Sequence, residues 1–238
     1  MIKKNDLLIN TNGYVLSLLE KILDANVEIL GVENIPKNNP KLFVANHFTR
    51  TEAMLIPYTL YNITNKKVGV IADDSLFKSF LGNFLENLGA IKKSAPNRNE
   101  HIIGDLITSC KDWMIFPEGM MVKAKDISKT DKNFCVKIND VCQRVYTGSA
   151  VFALTSQYFR QKFLDEKLEN QNEFTKKYFI SDCKNINTDE TMIVPINISY
   201  SNLRTGKNFL IDMLSKLFEP IEENFKEELE IESNIVLN

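Results

Sequence analysis

Two hydrophobic periods alternate along the chain. Short apolar runs rich in β-branched and aromatic residues stand at Val27–Leu30, Lys41–Ala45, Lys67–Ala72, Gly89–Ile91, Trp113–Phe116 and Met192–Ile198. Their length and composition predict strands, and their nearly unbroken apolar character predicts strands buried on both faces. The turn residues Pro36-Lys37-Asn38-Asn39-Pro40 separate the first two. Between the runs the spacing changes to i, i+3, i+4, i+7. Val15, Leu18, Leu19 and Ile22 form one such stripe, Phe77, Phe80, Leu81, Phe84, Leu85 and Leu88 a second, and Leu210, Met213, Leu214, Leu217 and Ile221 a third. These predict amphipathic helices with core-facing stripes. The same stripes also suit a headgroup layer, with Lys78, Lys207 or Lys216 toward phosphates.

Strands alternating with helices predict a single α/β domain, a mixed and mostly parallel sheet covered by helices on both faces. An N-terminal amphipathic helix occupies 1–26 and an α/β core 27–155. A polar, charged helical insertion follows at 156–190, and the last core strand and a C-terminal helix fill 191–238. The segment from Phe225 to Leu237 reads as strand, turn and strand, so the end is either a hairpin or a chain that continues past Asn238.

With 238 residues, 44% hydrophobic and 25% charged, the chain is long and apolar enough to bury a sizeable core. A net charge of −2 provides no positive field for nucleic acid. Cys110, Cys135, Cys142 and Cys183 lack the spacing of a redox pair or zinc site, and reduced, mostly buried thiols are expected. Only His47 and His101 are available as imidazole ligands, so no metal is expected. The N-terminal apolar stretch is too short for a secretory signal, and no apolar run is long enough to span a bilayer. The expected location is cytoplasmic, with peripheral contact at the cytoplasmic face of a membrane.

Chemistry concentrates in Val44-Ala45-Asn46-His47-Phe48-Thr49-Arg50-Thr51-Glu52. A buried strand ends at Asn46-His47 and a helix begins near Arg50 or Thr51, which puts His47 where open sheets gather ligands. Glu52, five residues on, can accept the Nδ1 proton and leave Nε2 as a general base. No serine or cysteine stands in a nucleophile motif, so the nucleophile is a substrate hydroxyl. A strand-end histidine bonded to a carboxylate is also a common structural arrangement. A second strand ends in Phe116-Pro117-Glu118-Gly119, residues suited to presenting a side chain and backbone to a ligand. His101 reads as a helix or surface histidine, and Trp113 as a packing residue.

From about residue 27 to residue 200 the sequence resembles the glycerolipid acyltransferases of the lysophosphatidic-acid acyltransferase type. The resemblance begins at Val27-Glu28-Ile29-Leu30-Gly31-Val32-Glu33-Asn34-Ile35-Pro36. It continues through Asn46-His47 and Glu52, where the family usually carries aspartate, and Leu88-Gly89-Ala90-Ile91, where Ala95 replaces an expected arginine. It ends with Phe116-Pro117-Glu118-Gly119, followed by Met120-Met121-Val122 in place of Thr-Arg-Ser, the glycine-led helix at Thr147–Leu154, and Ile193-Val194-Pro195-Ile196.

The resemblance implies that His47, oriented by Glu52, activates the hydroxyl of a lysophospholipid, 1-acylglycerol 3-phosphate above all, toward an acyl-CoA or acyl-carrier-protein thioester. No cofactor is implied beyond that donor. Asn46, Phe116, Pro117, Glu118 and Gly119 would shape the acceptor pocket, and Lys92, Lys93, Arg98 and Lys123 would meet the acceptor phosphate. Taken alone, each lysine reads as a solvated surface residue. Glycerol 3-phosphate or another lysolipid as acceptor, and a lipid-binding relative without turnover, are the alternatives.

Overall fold

A computed structural model of the protein describes residues 28–48, 52–77, 85–87, 89–121, 126–129, 134–138, 141–165, 171–180, 186–203 and 235–237. The helical stripes expected at 15–22 and 210–221, and most of that at 77–88, lie outside these residues. The chain divides into two compact units, residues 33–197 and the combination of 1–32 with 198–238.

The first unit is built on β1 (Lys41–Ala45), β2 (Val68–Ala72), β3 (Ala90–Lys92), β4 (Asp112–Ile115) and β8 (Met192–Ile196). They form a five-stranded sheet in the order β3-β2-β4-β1-β8, and every pairing is parallel. The expected mostly parallel sheet is therefore parallel throughout, because no two of its strands are joined by a hairpin. Helix α1 (Glu52–Thr64) carries the chain from β1 to β2, α2 (Arg98–Thr108) from β3 to β4, and α3 (Gly148–Leu164) lies on the way from β4 to β8. The crossovers run in opposite directions along the sheet, and by the right-handed rule for parallel strands such connections place α1 on one face and α2 and α3 on the other. Pro195 sits on the edge strand, where the missing N–H breaks no ladder.

The core lies beneath α2 and α3, where Leu42, Ile102, Leu106, Ile107, Trp113 and Phe152 are buried. Each large apolar side chain removed from water contributes about 1.5–3 kcal/mol. Trp113 fits because its neighbour on β2 is Gly69, where a Cβ would come within 2.9 Å of the indole.

Two buried ionic devices lock this unit. At the N-terminal rim of the sheet, Asp112 accepts from the Lys41 backbone at 2.9 Å and from Lys41 Nζ at 3.3 Å, and Lys66 Nζ lies 2.8 Å away. Burial holds the Lys41 ammonium below its ordinary pKa, with Lys66 adding to the effect and Asp112 opposing it. On α3, fully buried Arg160 donates to the carbonyls of Leu106 and Ile107. These are two of the acceptors that the end of α2 leaves without helical partners, so Arg160 caps that helix from outside. Its guanidinium also donates to Gln157 at 2.6 Å and Thr191 at 2.9 Å, and burial pushes its pKa down to about 10.

Several expectations change. Residues 28–30 are exposed and form no strand, since a short apolar run becomes β only where a neighbour accepts its ladder. Helix α3 begins at Gly148 and runs unbroken through 156, the position expected to open a polar insertion; its Phe152, Ala153, Ser156 and Arg160 are buried. Helix α4 (Gln171–Lys177) follows. A three-stranded antiparallel sheet, β5 (Asp126–Lys129), β6 (Phe134–Ile138) and β7 (Val141–Arg144), stands between β4 and α3 without having been expected. The thiols are not reduced: the antiparallel pairing of β6 with β7 brings Cys135 and Cys142 to a Cα separation of 5.5 Å, and they form a disulfide.

In the second unit, β9 (Tyr200–Leu203) pairs antiparallel with β10 (Ile235–Leu237). The final strand thus finds a partner more than thirty residues upstream, and the expected partner strand at 225–231 lies outside the described residues.

Candidate active site

Along the sheet, the chain leaves β1 toward β2 and leaves β4 in the opposite direction toward β8. The carboxyl ends of these adjacent strands therefore bound a topological switch point, the place where an open α/β sheet leaves a crevice. Their pairing runs to Val44 and Ile115. Beyond it, Ala45-Asn46-His47 and Phe116-Pro117-Glu118-Gly119 emerge side by side.

His47 occupies the connection between β1 and α1, and Glu52 is the first residue of the helix. A carboxylate there is favoured by the positive end of the helix dipole. Glu52 Oε2 lies 2.9 Å from His47 Nδ1 and accepts the Phe48 N–H at 2.8 Å. When Nδ1 donates to this carboxylate, the neutral imidazole has its lone pair on Nε2. The Glu52 side chain is 2% exposed and that of His47 16%, so the pair is shielded on the acid side while the imidazole keeps an opening to its surroundings.

The second strand end holds the same histidine from two further directions. Phe116 stacks on the imidazole with ring centres 4.1 Å apart and planes at 18°. Glu118 Oε2 accepts the His47 backbone N–H at 2.8 Å. Gly119 N–H donates to the Phe116 carbonyl at 3.1 Å, closing a tight turn with Pro117 and Glu118 at its corner. Proline at the second position and glycine at the fourth suit such a turn, and Gly119 has φ +70°.

Tyr146, which the sequence did not single out, belongs to this structure. Its N–H donates to the Pro117 carbonyl at 2.8 Å, its ring rests on Gly119, and it is largely exposed, as is Met120. The available signal was weak, an aromatic residue just before the glycine-led start of α3.

Of the expected site residues, the structure gathers Asn46, His47, Glu52, Phe116, Pro117, Glu118 and Gly119 at the paired ends of β1 and β4. Lys92, Lys93 and Arg98 belong to the same rim but to edge strand β3 and its continuation, with β2 and β4 between them and β1. Three inter-strand steps are about 14 Å. Lys92 Nζ stands 5.4 Å from the Phe77 ring centre, and Arg98 donates to the Lys93 carbonyl at 2.6 Å and to Asn99 at 3.1 Å. Asp74 faces the same stretch, and its bonds to Ser94 hold its carboxyl below the usual carboxylate range. Lys123 lies outside the described residues. His101 stacks on Phe179 at 3.8 Å, away from the strand ends. Among the described residues, no three His, Cys, Asp or Glu side chains are grouped to hold a metal ion, and no helix is long and apolar enough to cross a membrane.

The sequence pattern of the family described as Acyltransferase matches residues 26–154, more than half of the chain, and the chain belongs to that family. No curated protein matches it. Among solved structures it is similar to the 1-acyl-sn-glycerophosphate (LPA) acyltransferase PlsC from Thermotoga maritima, at 22% identity and a TM-score of 0.38. That match covers 61% of this chain and 54% of the other, so this chain spans about half the length of that protein.

Proposed function

We propose that the protein is an O-acyltransferase that moves a fatty acyl group from an acyl-CoA or acyl-carrier-protein thioester to the hydroxyl of a lysophospholipid, foremost 1-acylglycerol 3-phosphate. The observation that carries this reading is the 2.9 Å contact between His47 Nδ1 and Glu52 at the switch point. In this reading His47 Nε2 takes the hydroxyl proton as the substrate oxygen attacks the thioester carbonyl carbon. The tetrahedral intermediate collapses by breaking the C–S bond, the imidazolium returns the proton to the departing sulfur, and an ester and a thiol leave. No acyl-enzyme is required. The backbone N–H groups of His47 and Phe48 already donate to Glu118 and Glu52, so donors to the oxyanion come from elsewhere in the site. A lipid acceptor puts this chemistry at a membrane surface, with the protein bound peripherally.

The test is thiol release from acyl-CoA or acyl-carrier protein in the presence of 1-acylglycerol 3-phosphate, with the product read by lipid chromatography. Turnover that falls about 10²-fold or more in His47→Ala supports the reading. No transfer by the wild-type chain to any lysophospholipid or to glycerol 3-phosphate, or an unchanged rate in the variant, overturns it.

A further inference from the structure

We infer that the outer face of α3 is a docking surface that lies in the headgroup region of an anionic bilayer. The inference deepens the acyl-transfer reading above, on which it rests for the lipid acceptor. The pattern of burial along the helix is the first argument. Phe152, Ala153, Ser156 and Arg160 face the core. On the opposite side Val151, Leu154 and Tyr158 are 54%, 72% and 54% exposed, and with the exposed Lys162 they fall within an arc of about 80°. A helix packed on a sheet from one side ordinarily turns polar residues to water. Helix α2 does so, its less buried positions being Arg98, Asn99, Glu100, His101, Asp105 and Thr108. On α3 every exposed position up to Tyr158 is apolar or aromatic: Ala150, Val151, Leu154 and Tyr158.

Charge is the second argument. The chain has a net charge of −2, yet none of the 17 residues of α3 is aspartate or glutamate. The exposed cation of the helix, Lys162, stands with its ammonium 4.8 Å from the centre of the Tyr158 ring. Asp165, the carboxylate nearest to it in sequence, lies at the C-cap and accepts from Gln161 at 3.0 Å. Along the stripe the side chains pass from aliphatic through tyrosine to ammonium. A bilayer presents acyl chains, headgroup boundary and anionic phosphates in that order.

Position is the third argument. Helix α3 begins two residues after Tyr146, whose N–H is bonded to the Pro117 carbonyl and whose ring rests on Gly119, in the turn that stacks Phe116 on His47. The apolar end of the stripe is thus the end next to the histidine, where a lipid hydroxyl has to arrive. A second copy of the chain suits the face less well. A stable dimer buries about 800 Å² on each partner from roughly 20–30 residues, and this face offers a narrow stripe along one helix.

The experiment floats the full chain on vesicles of phosphatidylcholine with an equal part of phosphatidylglycerol, and on phosphatidylcholine alone. Wild type is expected to float on the first and less on the second. Leu154→Glu charges an outward side chain and should weaken binding to the mixed vesicles by about tenfold or more, the worth of one buried apolar side chain. Asn99→Glu, on the water-facing side of α2, should leave binding unchanged. Leu154→Trp supplies a local reporter, since the chain's own Trp113 is fully buried. Its emission should shift to the blue on the mixed vesicles and be quenched by brominated acyl chains. No flotation of the wild type, flotation of Leu154→Glu equal to wild type, or an unquenched Leu154→Trp overturns the inference. So does a wild-type dimer in sedimentation that Leu154→Glu splits, which would make the face a contact between copies. None of these readouts involves turnover, so the acyl-transfer reading and the docking surface fail separately.

Discussion

The ring of Tyr146 lies directly on the Cα of Gly119, so close that a Cβ at that position would stand 2.5 Å from Tyr146 Cε2. Gly119 also has φ +70°, where a side chain is strained whatever the space around it. Gly119→Ala is therefore expected to destabilise the protein by about 1–3 kcal/mol. Adding Tyr146→Ala should recover the part due to the clash and leave the part due to the backbone. Urea denaturation of the two single variants and the double variant measures this, and full recovery in the double variant would show that the φ value costs nothing.

Glu52 carries two loads, the His47 ring and the Phe48 N–H. Glu52→Gln keeps an oxygen in place but removes the charge that stabilises the imidazolium, and a fall in kcat on the order of 10²-fold is expected. Glu52→Asp keeps the charge and should retain or improve turnover. Equal rates for Gln and wild type would show that the carboxylate charge plays no part.

Arg160→Lys replaces a planar fork by a single ammonium, which cannot reach the Leu106 and Ile107 carbonyls together with Gln157 and Thr191. Its expected cost is about 1–3 kcal/mol, because the Leu106 carbonyl loses its donor while that of Ile107 keeps the Asn187 N–H. Thermal melting would report it, and an unaltered melting temperature would mean that water serves those carbonyls equally well.

Lys41 gives a pH dependence with a definite sign. Its folded pKa is lowered from 10.5 by burial, so between the folded value and 10.5 the unfolded chain holds more protons than the folded one. Stability attributable to Lys41 therefore rises as pH climbs through that window, and the whole cost of burying the charge is borne below it. The stability difference between wild type and Lys41→Met is expected to shift toward the wild type as pH is raised from neutral toward 10.5. A difference independent of pH would mean that Lys41 titrates alike in both states.

Legibility in the sequence followed the range of the forces involved. The run Lys41–Ala45 matches β1 residue for residue, since Leu42 to Ala45 make the unbroken apolar run of a strand covered on both faces. The pairing of His47 with Glu52 was legible because only five residues separate them. The bond from Glu118 to the His47 amide was not, because it spans 71 residues and exists only through the parallel pairing of β1 with β4. The same applies to Arg160, whose partners at the end of α2 lie 53 and 54 residues away. Strands β5, β6 and β7 escaped notice because each is four or five residues long and mixes polar with apolar positions. The disulfide of Cys135 with Cys142 depended on the register of that unseen hairpin.

Because all five strands of the main sheet point the same way, its two rims are chemically unlike. His47 and Glu118 stand past the carboxyl ends, while Lys41, Lys66 and Asp112 are clamped together at the amino ends. A dye, tether or affinity handle joined to the exposed residues Lys37 or Asn38 would thus sit a full strand length from the histidine. Immobilisation from that side is expected to leave the opposite rim accessible to reactants, making it the natural attachment edge for surface-bound assays.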